Sequence, residues 1–344
     1  MFFVPWLTYG GGGDQFVRDL ARAFVEEGRS VAVVVTAPSP TELVDATAAM
    51  RAVTPHVFDT LAALPIEERL PYVEALVRGL EAPVIFNVGS TWLYGHVAEV
   101  RAAAGPGVTV IDQLFNHVGH VANNVAAGGA IDLTVTAHDG LRRLLVEHFR
   151  LERPVVSIHV GLRPIDSRSA RSRGARPAVA WLGRLSAEKR PQWFVELARA
   201  LDGEASFVLA GTGPDDVAVR RSAAGIASLE VRGFVEDGVA FLADADLVVL
   251  TSEVEGISVV AMEAIALGIP VVSTDVGGMA DLIRPAINGE LVDPDDHAAL
   301  VETVRGLVDD RARLDALQER VERDRLPADF TVDEMVARFA ELVR

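Results

Sequence analysis

Short runs of apolar, mostly β-branched residues recur along the chain, and longer stretches in which apolar residues return every third or fourth position lie between them. "VAVVV" (31–35), "PVIF" (83–86), "VTVI" (108–111) and "LTVT" (133–136) carry the first pattern, and "DQFVRDLARAFVEEG" (14–28) carries the second. Near-continuous apolar runs predict strands buried on both faces, and the intervening 3.6-residue period predicts the helices that cover them, as in parallel βαβ units. "AVAWL" (178–182), "SFVLA" (206–210), "LVVLT" (247–251) and "PVVST" (270–274) repeat the rhythm. Both halves are therefore expected to be doubly wound α/β domains.

Residues 161–177, "GLRPIDSRSARSRGARP", have no apolar period and read as a linker between a first domain at 1–160 and a second at 178–325. "HAALVETVRGLVDD" and "VDEMVARFAELVR" are amphipathic at helical spacing, and the segment 326–344 is expected to pack back on the first domain. A length of 344 residues with 50% hydrophobic content suits two cores.

Composition narrows the chemistry. A net charge of −17 opposes a nucleic-acid-binding surface. The chain has no cysteine, which excludes disulfides, thiolate zinc sites and a cysteine nucleophile. "MFFVPWLTYGGGGD" does not read as a secretory signal, and no window is apolar enough for a membrane span, so a cytoplasmic protein is expected. "LRRLLVEHFRLER" (141–153) is basic and amphipathic; it could touch an anionic membrane surface peripherally, although a solvated face is the plainer reading. Nothing in the pattern bears on oligomeric state.

Glycine-rich turns follow strands in both halves, at "YGGGGDQ" (9–15) and "GTGPDD" (211–216). Such turns let backbone amides and a helix N-terminus face an anion, although neither matches the dinucleotide fingerprint. "GRLSAEKRP" (183–191) places Arg184 and Lys189 between a buried strand and a helix opened by Pro191. Of 32 basic residues Lys189 is the single lysine, which suggests a site suited to a compact, mobile ammonium. In "TSEVEGISVVAMEAIALGIPVVSTDVGG" (251–278), Gly256 permits close approach, so the amides of Ile257, Ser258 and Val259 can meet an anion. Glu255 and Glu263 flank that point, and carboxylates accept strongly from sugar hydroxyls.

These stretches resemble the donor domain of the family-4 retaining glycosyltransferases, which have the two-domain GT-B fold. The matching pieces are "GRLSAEKRP", "LAGTGPDD", "VRGFVED", "LADADLVVLTSEVEGISVVAMEAIALGIPVVSTDVGG" and "INGELVDPDD", across about residues 178–296. "GGGGDQFVRDLARAFVEEGRSVAVVVT" and "VVSIHVGL" extend the likeness more loosely into the first half. The resemblance implies that Arg184 and Lys189 hold a donor diphosphate, that Glu255 contacts hexose hydroxyls, and that Ile257 and Ser258 lie near the phosphates and sugar. It further implies that Glu263 binds the ribose, that Phe234 and Val235 frame the base, with Gly211 in the donor site, and that Gly11 and Gly12 approach from the first domain. "EGIS" stands where the family usually has an aromatic and a second glycine, which bears on the choice of sugar, and Asp281 replaces a common glutamate.

In that family the first domain supplies a polar group over the sugar, often a histidine. "IDQLFNHVGHVANN" (111–124) offers Asn116, His117 and His120, with more weight on His120. The loop "NVGSTWLYGH" (87–96) is the candidate for acceptor contacts through Asn87 and Trp92, against the alternative of a helix start with buried aromatics. Asp244 and Asp246 form an Asp-x-Asp triplet of the kind that binds metal in a different glycosyltransferase fold, but it immediately precedes a buried strand and no metal is expected. The expected activity is retaining transfer of a hexosyl group from a UDP- or GDP-sugar, with no further cofactor, to a glycan, lipid or small-molecule hydroxyl. A GT-B epimerase or phosphorylase, a two-lobed sugar-binding protein and a non-catalytic scaffold remain as alternatives.

Overall fold

The computed structural model describes residues 1–8, 12–40, 44–165, 174 and 176–343. The chain divides into two compact units, one of residues 1–161 with 332–344 and one of residues 162–331. Most of the 161–177 segment lies outside the described residues.

The first unit holds β1 (Phe2–Val4), β2 (Val33–Val35), β3 (Val57–Phe58), β4 (Val84–Val88), β5 (Thr109–Leu114), β6 (Leu133–Thr136) and β7 (Val155–Ser157). They form one parallel sheet in the order β3-β2-β1-β4-β5-β6-β7. The second unit holds β8 (Ala178–Leu182), β9 (Ser206–Ala210), β10 (Leu229–Val231), β11 (Leu247–Leu250), β12 (Val271–Thr274) and β13 (Gly289–Val292). Their order, β10-β9-β8-β11-β12-β13, is also parallel throughout. In each unit the strand order reverses beside the first strand, at β1/β4 and at β8/β11. Connecting loops diverge there, opening a crevice at the carboxyl ends of the strands.

The apolar runs are buried because both faces of each sheet are covered. All three residues of β1 and of β2, and all four residues of β11 and of β12, are buried. Trp181, Phe194 and Phe207 anchor the core of the second unit, with Phe194 and Phe207 edge to face at 5.8 Å. The helix Val332–Leu342 belongs to the first unit: Phe339 packs against Phe16 at 5.3 Å and Phe86 at 6.1 Å, and Arg338 donates to the Ser157 carbonyl at 2.6 Å.

Asp246 sits at the amino-terminal edge of β11, the opposite end of the sheet from the crevice. Its carboxylate accepts from the Ala178 amide at 2.9 Å and lies 3.4 Å from Gln318 Nε2, so it closes the start of β8. The expected helix over 141–153 ends at His148, where its last turn widens into a π-turn, and β7 follows. Among the described residues no helix is long and apolar enough to cross a membrane.

Candidate active site

The β8/β11 crevice is built by two loops that share hydrogen bonds. After β8 the chain passes Gly183, Arg184 and Leu185, makes one 3₁₀ turn at Ala187–Lys189, and enters the helix Pro191–Ala200. Trp181 donates its indole N–H to Thr251 Oγ1 at 3.1 Å, and that hydroxyl faces the carbonyls of Lys189 and Arg190 at 2.8 and 2.9 Å. The Glu253 amide donates to the Glu188 carbonyl at 2.8 Å. These bonds tie the two loops together independently of their charged side chains.

The loop after β9 packs on the same place. The Leu185 amide donates to the Thr212 carbonyl at 2.9 Å and the Asp215 amide to the Leu185 carbonyl at 2.9 Å. Gly211 has φ +140°, and a Cβ there would lie 1.8 Å from the Gly183 carbonyl oxygen, so no other residue fits. Gly211 is therefore a packing element of this loop pair.

Lys189 and Glu255 meet at the centre. Lys189 Nζ lies 2.6 Å from Glu255 Oε1, and Ser252 donates to the same oxygen at 2.8 Å. The Glu255 side chain is 9% exposed and that of Lys189 28%, so the ammonium keeps a path to solvent. Arg184 is directed elsewhere: its guanidinium pairs with Glu188 at 2.8 Å, and Ser186 donates to the same Glu188 oxygen at 2.8 Å. Each cation of "GRLSAEKRP" thus has its own carboxylate, Arg190 pairing with Glu253 at 3.2 Å.

Gly256 and Ile257 follow, and Ser258 caps the helix Val259–Ala266 by accepting from the Ala261 amide at 3.3 Å. The first amides of that helix, including Val259, have no partner inside it. Glu263 lies one turn in; burial, and to a lesser degree the nearby Asp237 charge, raise its carboxyl to about 7. A Cβ at Gly238 would stand 3.9 Å from Glu263 Oε2, so the loop bearing the exposed Phe234 and half-buried Val235 runs beside this carboxylate.

In the first unit Gly11 lies outside the described residues, and Gly12 opens the helix Gly12–Glu26. His120 stands at the start of the helix Val121–Ala126, at the carboxyl end of the sheet, without capping it through its side chain. A Cβ at Gly89 would stand 3.5 Å from His120 Nε2 and 4.0 Å from Pro5, so the imidazole lies beside the residues that follow β4 and β1. Tyr94 covers it at 5.4 Å, and partial burial holds its pKa below the ordinary histidine value. His117 is exposed on the loop before it.

The residues expected to meet an acceptor are differently placed. Asn116 spends its carbonyl on the amides of Val118 and Gly119, at 3.1 and 2.9 Å, and so forms the turn. Trp92 packs on the core of the first unit and stacks on His96 at 4.5 Å. Asn87 is 2% exposed, accepting from the Ser90 amide and donating to Asp112. Glu188 and Ser252, which pair with the expected residues, and Asp112, whose hydrogen-bond partners Asn87, Tyr94 and Asn124 come from three separate segments, carry no signal in the sequence.

Two parallel sheets, each reversing its strand order beside its first strand, are the two Rossmann-like domains of the GT-B architecture. Structures of the same fold cover nearly the whole chain: Anabaena Alr3699/HepE in complex with UDP at a TM-score of 0.78 and 16% identity, over 99% of this chain and 98% of that one, and the lipopolysaccharide outer core galactosyltransferase WaaB at 0.77 and 14%, over 99% of each. Residues 176–310 match the family model described as glycosyl transferases group 1. The D-inositol 3-phosphate glycosyltransferase 1 of Catenulispora acidiphila is 31% identical over 91% of this chain and 87% of its own length. The GDP-mannose-dependent alpha-mannosyltransferase of Mycolicibacterium smegmatis is 28% identical over 75% and 73%. The chain belongs to the group 1 glycosyl transferases.

Proposed function

We propose that this glycosyltransferase is a retaining hexosyltransferase of the family-4 type that takes its sugar from a nucleotide diphosphate, with UDP or GDP as the carrier. The observation that carries the reading is the Lys189–Glu255–Ser252 cluster at the β8/β11 switch point, beside a capped helix N-terminus. A UDP complex of a fold neighbour and a GDP-mannose-dependent relative are consistent with it.

The donor diphosphate displaces Glu255 from Lys189. The ammonium and the first amides of the helix Val259–Ala266 then face the phosphates, Arg184 joins them by leaving Glu188, and Glu255 is released toward the hexose hydroxyls. Charge grows on the diphosphate as its bond to the anomeric carbon breaks, so these groups stabilise the transition state more than the ground state. The acceptor oxygen bonds to the same face of that carbon, and its proton passes to a donor phosphate oxygen; no metal is required. Within the first unit, His120 rather than the exposed His117 is the candidate for a sugar contact, because it lies at the carboxyl end of the sheet beside Gly89 and Pro5. The acceptor is a hydroxyl of a glycan, lipid or small molecule; a relative named for D-inositol 3-phosphate favours a phosphorylated small polyol.

A thermal-shift panel of UDP, GDP, ADP and dTDP with their sugar conjugates tests the donor reading. A ligand at a hundred times its dissociation constant adds about 2.7 kcal/mol. At about 2–4 °C per kcal/mol for domains of this size, the matching nucleotide should raise the melting temperature plainly. A flat panel would remove the donor assignment and bring the scaffold alternative forward.

Glu263 adds a proton signature. Ribose hydroxyls donate to a carboxylate, which favours the ionised form, whereas burial holds the ligand-free carboxyl near 7. Nucleotide binding at pH 6–7 is therefore expected to release a proton, seen as a binding enthalpy that varies with the ionisation enthalpy of the buffer. Before binding, the raised carboxyl favours the folded chain at low pH, and this contribution fades as pH rises from the ordinary carboxylate range through about 7. Glu263→Gln should abolish both effects; an unchanged buffer dependence in that variant would place the proton elsewhere.

A further inference from the structure

Asp112 is fully buried near the carboxyl end of β5, among donors from separate segments. Asn87, from β4, donates to it at 2.7 Å, and the Tyr94 hydroxyl reaches its two oxygens at 2.8 and 2.7 Å. Asn124 donates to it from the helix Val121–Ala126, and Arg153 in turn donates to the Asn124 side chain and carbonyl and to Thr134 Oγ1. A buried carboxylate of this kind stabilises a fold little against a well-packed apolar residue, so its value lies in what it positions.

Two of those partners lead to one imidazole. The Tyr94 ring covers His120 at 5.4 Å with a tilt of 30°, and Asn124 lies one helical turn after His120, its amide donating to the His120 carbonyl at 2.8 Å. Asp112 thereby fixes both the surface beneath the histidine and the helix turn that presents it. We propose that Asp112, acting through Tyr94 and Asn124, is the positioning residue that sets the orientation of the His120 imidazole at the carboxyl end of the first unit's sheet. This rests on the role given to His120 above. Asp112 touches neither His120 nor substrate. Its ionised carboxylate only accepts, through both oxygens; an amide keeps one acceptor and turns an NH2 toward the donors of the other, so at least one of Asn87, Tyr94 and Asn124 loses its partner.

The test uses Asp112→Asn and Tyr94→Phe in the full chain, with two readouts. Without ligand, the His120 imidazole carbon–proton NMR signal, assigned by its loss in His120→Ala, should shift or broaden in both variants while other histidine signals hold. With the nucleotide sugar selected by the thermal panel, kcat for its hydrolysis should fall about tenfold with KM little changed. In a His120→Ala background the same substitutions should add almost nothing. If Asp112→Asn does not fold, Tyr94→Phe, which keeps the ring, decides alone. An unmoved His120 signal, or rate losses that simply add to that of His120→Ala, would overturn the proposal. If no nucleotide sugar turns over, the donor reading has failed, and the NMR readout still decides whether Asp112 holds His120.

Discussion

Lys189→Ala is expected to do two separable things: lower the melting temperature of the ligand-free protein and cut the transfer rate on the order of 10²–10³-fold. The first follows from the ion pair at 2.6 Å with a Glu255 side chain that is only 9% exposed. Orphaning one partner of a fully buried pair costs about 3–5 kcal/mol; with Ser252 still donating and Lys189 partly exposed, about 1–3 kcal/mol is expected. The second follows from the charge that grows on the departing diphosphate in the proposed reaction. The two effects part in the double variant Lys189→Met with Glu255→Gln, which removes both charges together. Its melting temperature should recover toward wild type while the transfer rate stays low. A double variant that regained activity would mean that the pair is structural and the phosphates bind elsewhere.

Gly277→Ala is expected to reduce activity about a hundredfold, the scale of a displacement near 1 Å in a catalytic group. Gly277 has φ +61°, and a Cβ there would fall 2.1 Å from the Glu255 carbonyl oxygen and 2.8 Å from that of Gly256. The Gly278 amide donates to the Gly256 carbonyl, so the two loops cannot simply separate. Relief must come from movement of Glu255 and Gly256, which sit at the proposed sugar and phosphate. The stability cost of the left-handed backbone is about 1 kcal/mol, with the clash adding to it. Steady-state kinetics beside a melt should therefore report a loss of rate out of proportion to the loss of stability. Normal kinetics in a folded variant would argue against Glu255 as a sugar contact.

The sheets of both units were legible because parallel strands buried on two faces are written as apolar runs. The edge strands β3, β7, β10 and β13 each contain partly exposed residues, so none stands out as a fully buried apolar run. Lys189 and Glu255 could be singled out from residue type and position between a strand and a helix. Their ion pair could not, because 66 residues separate them and only the adjacency of β8 and β11 brings them together. Asp112 was invisible for a related reason: in an acid-rich chain one more aspartate carries no signal, and its partners Asn87, Tyr94 and Asn124 become neighbours only through strand order and helix packing. Trp92 and Asn116 show what residue type alone does not reveal: the first also packs on the core of the first unit and the second also forms a turn.

The return of the helix Val332–Leu342 to the first unit gives the two units different histories during synthesis. Residues 162–331 form a continuous stretch and can close their sheet as soon as it has emerged from the ribosome. The first unit, although begun earlier, waits for Phe339 to cover Phe16 and Phe86. Until then Phe16 and Phe86 lack that cover, so of the two units the one begun earlier is closed later.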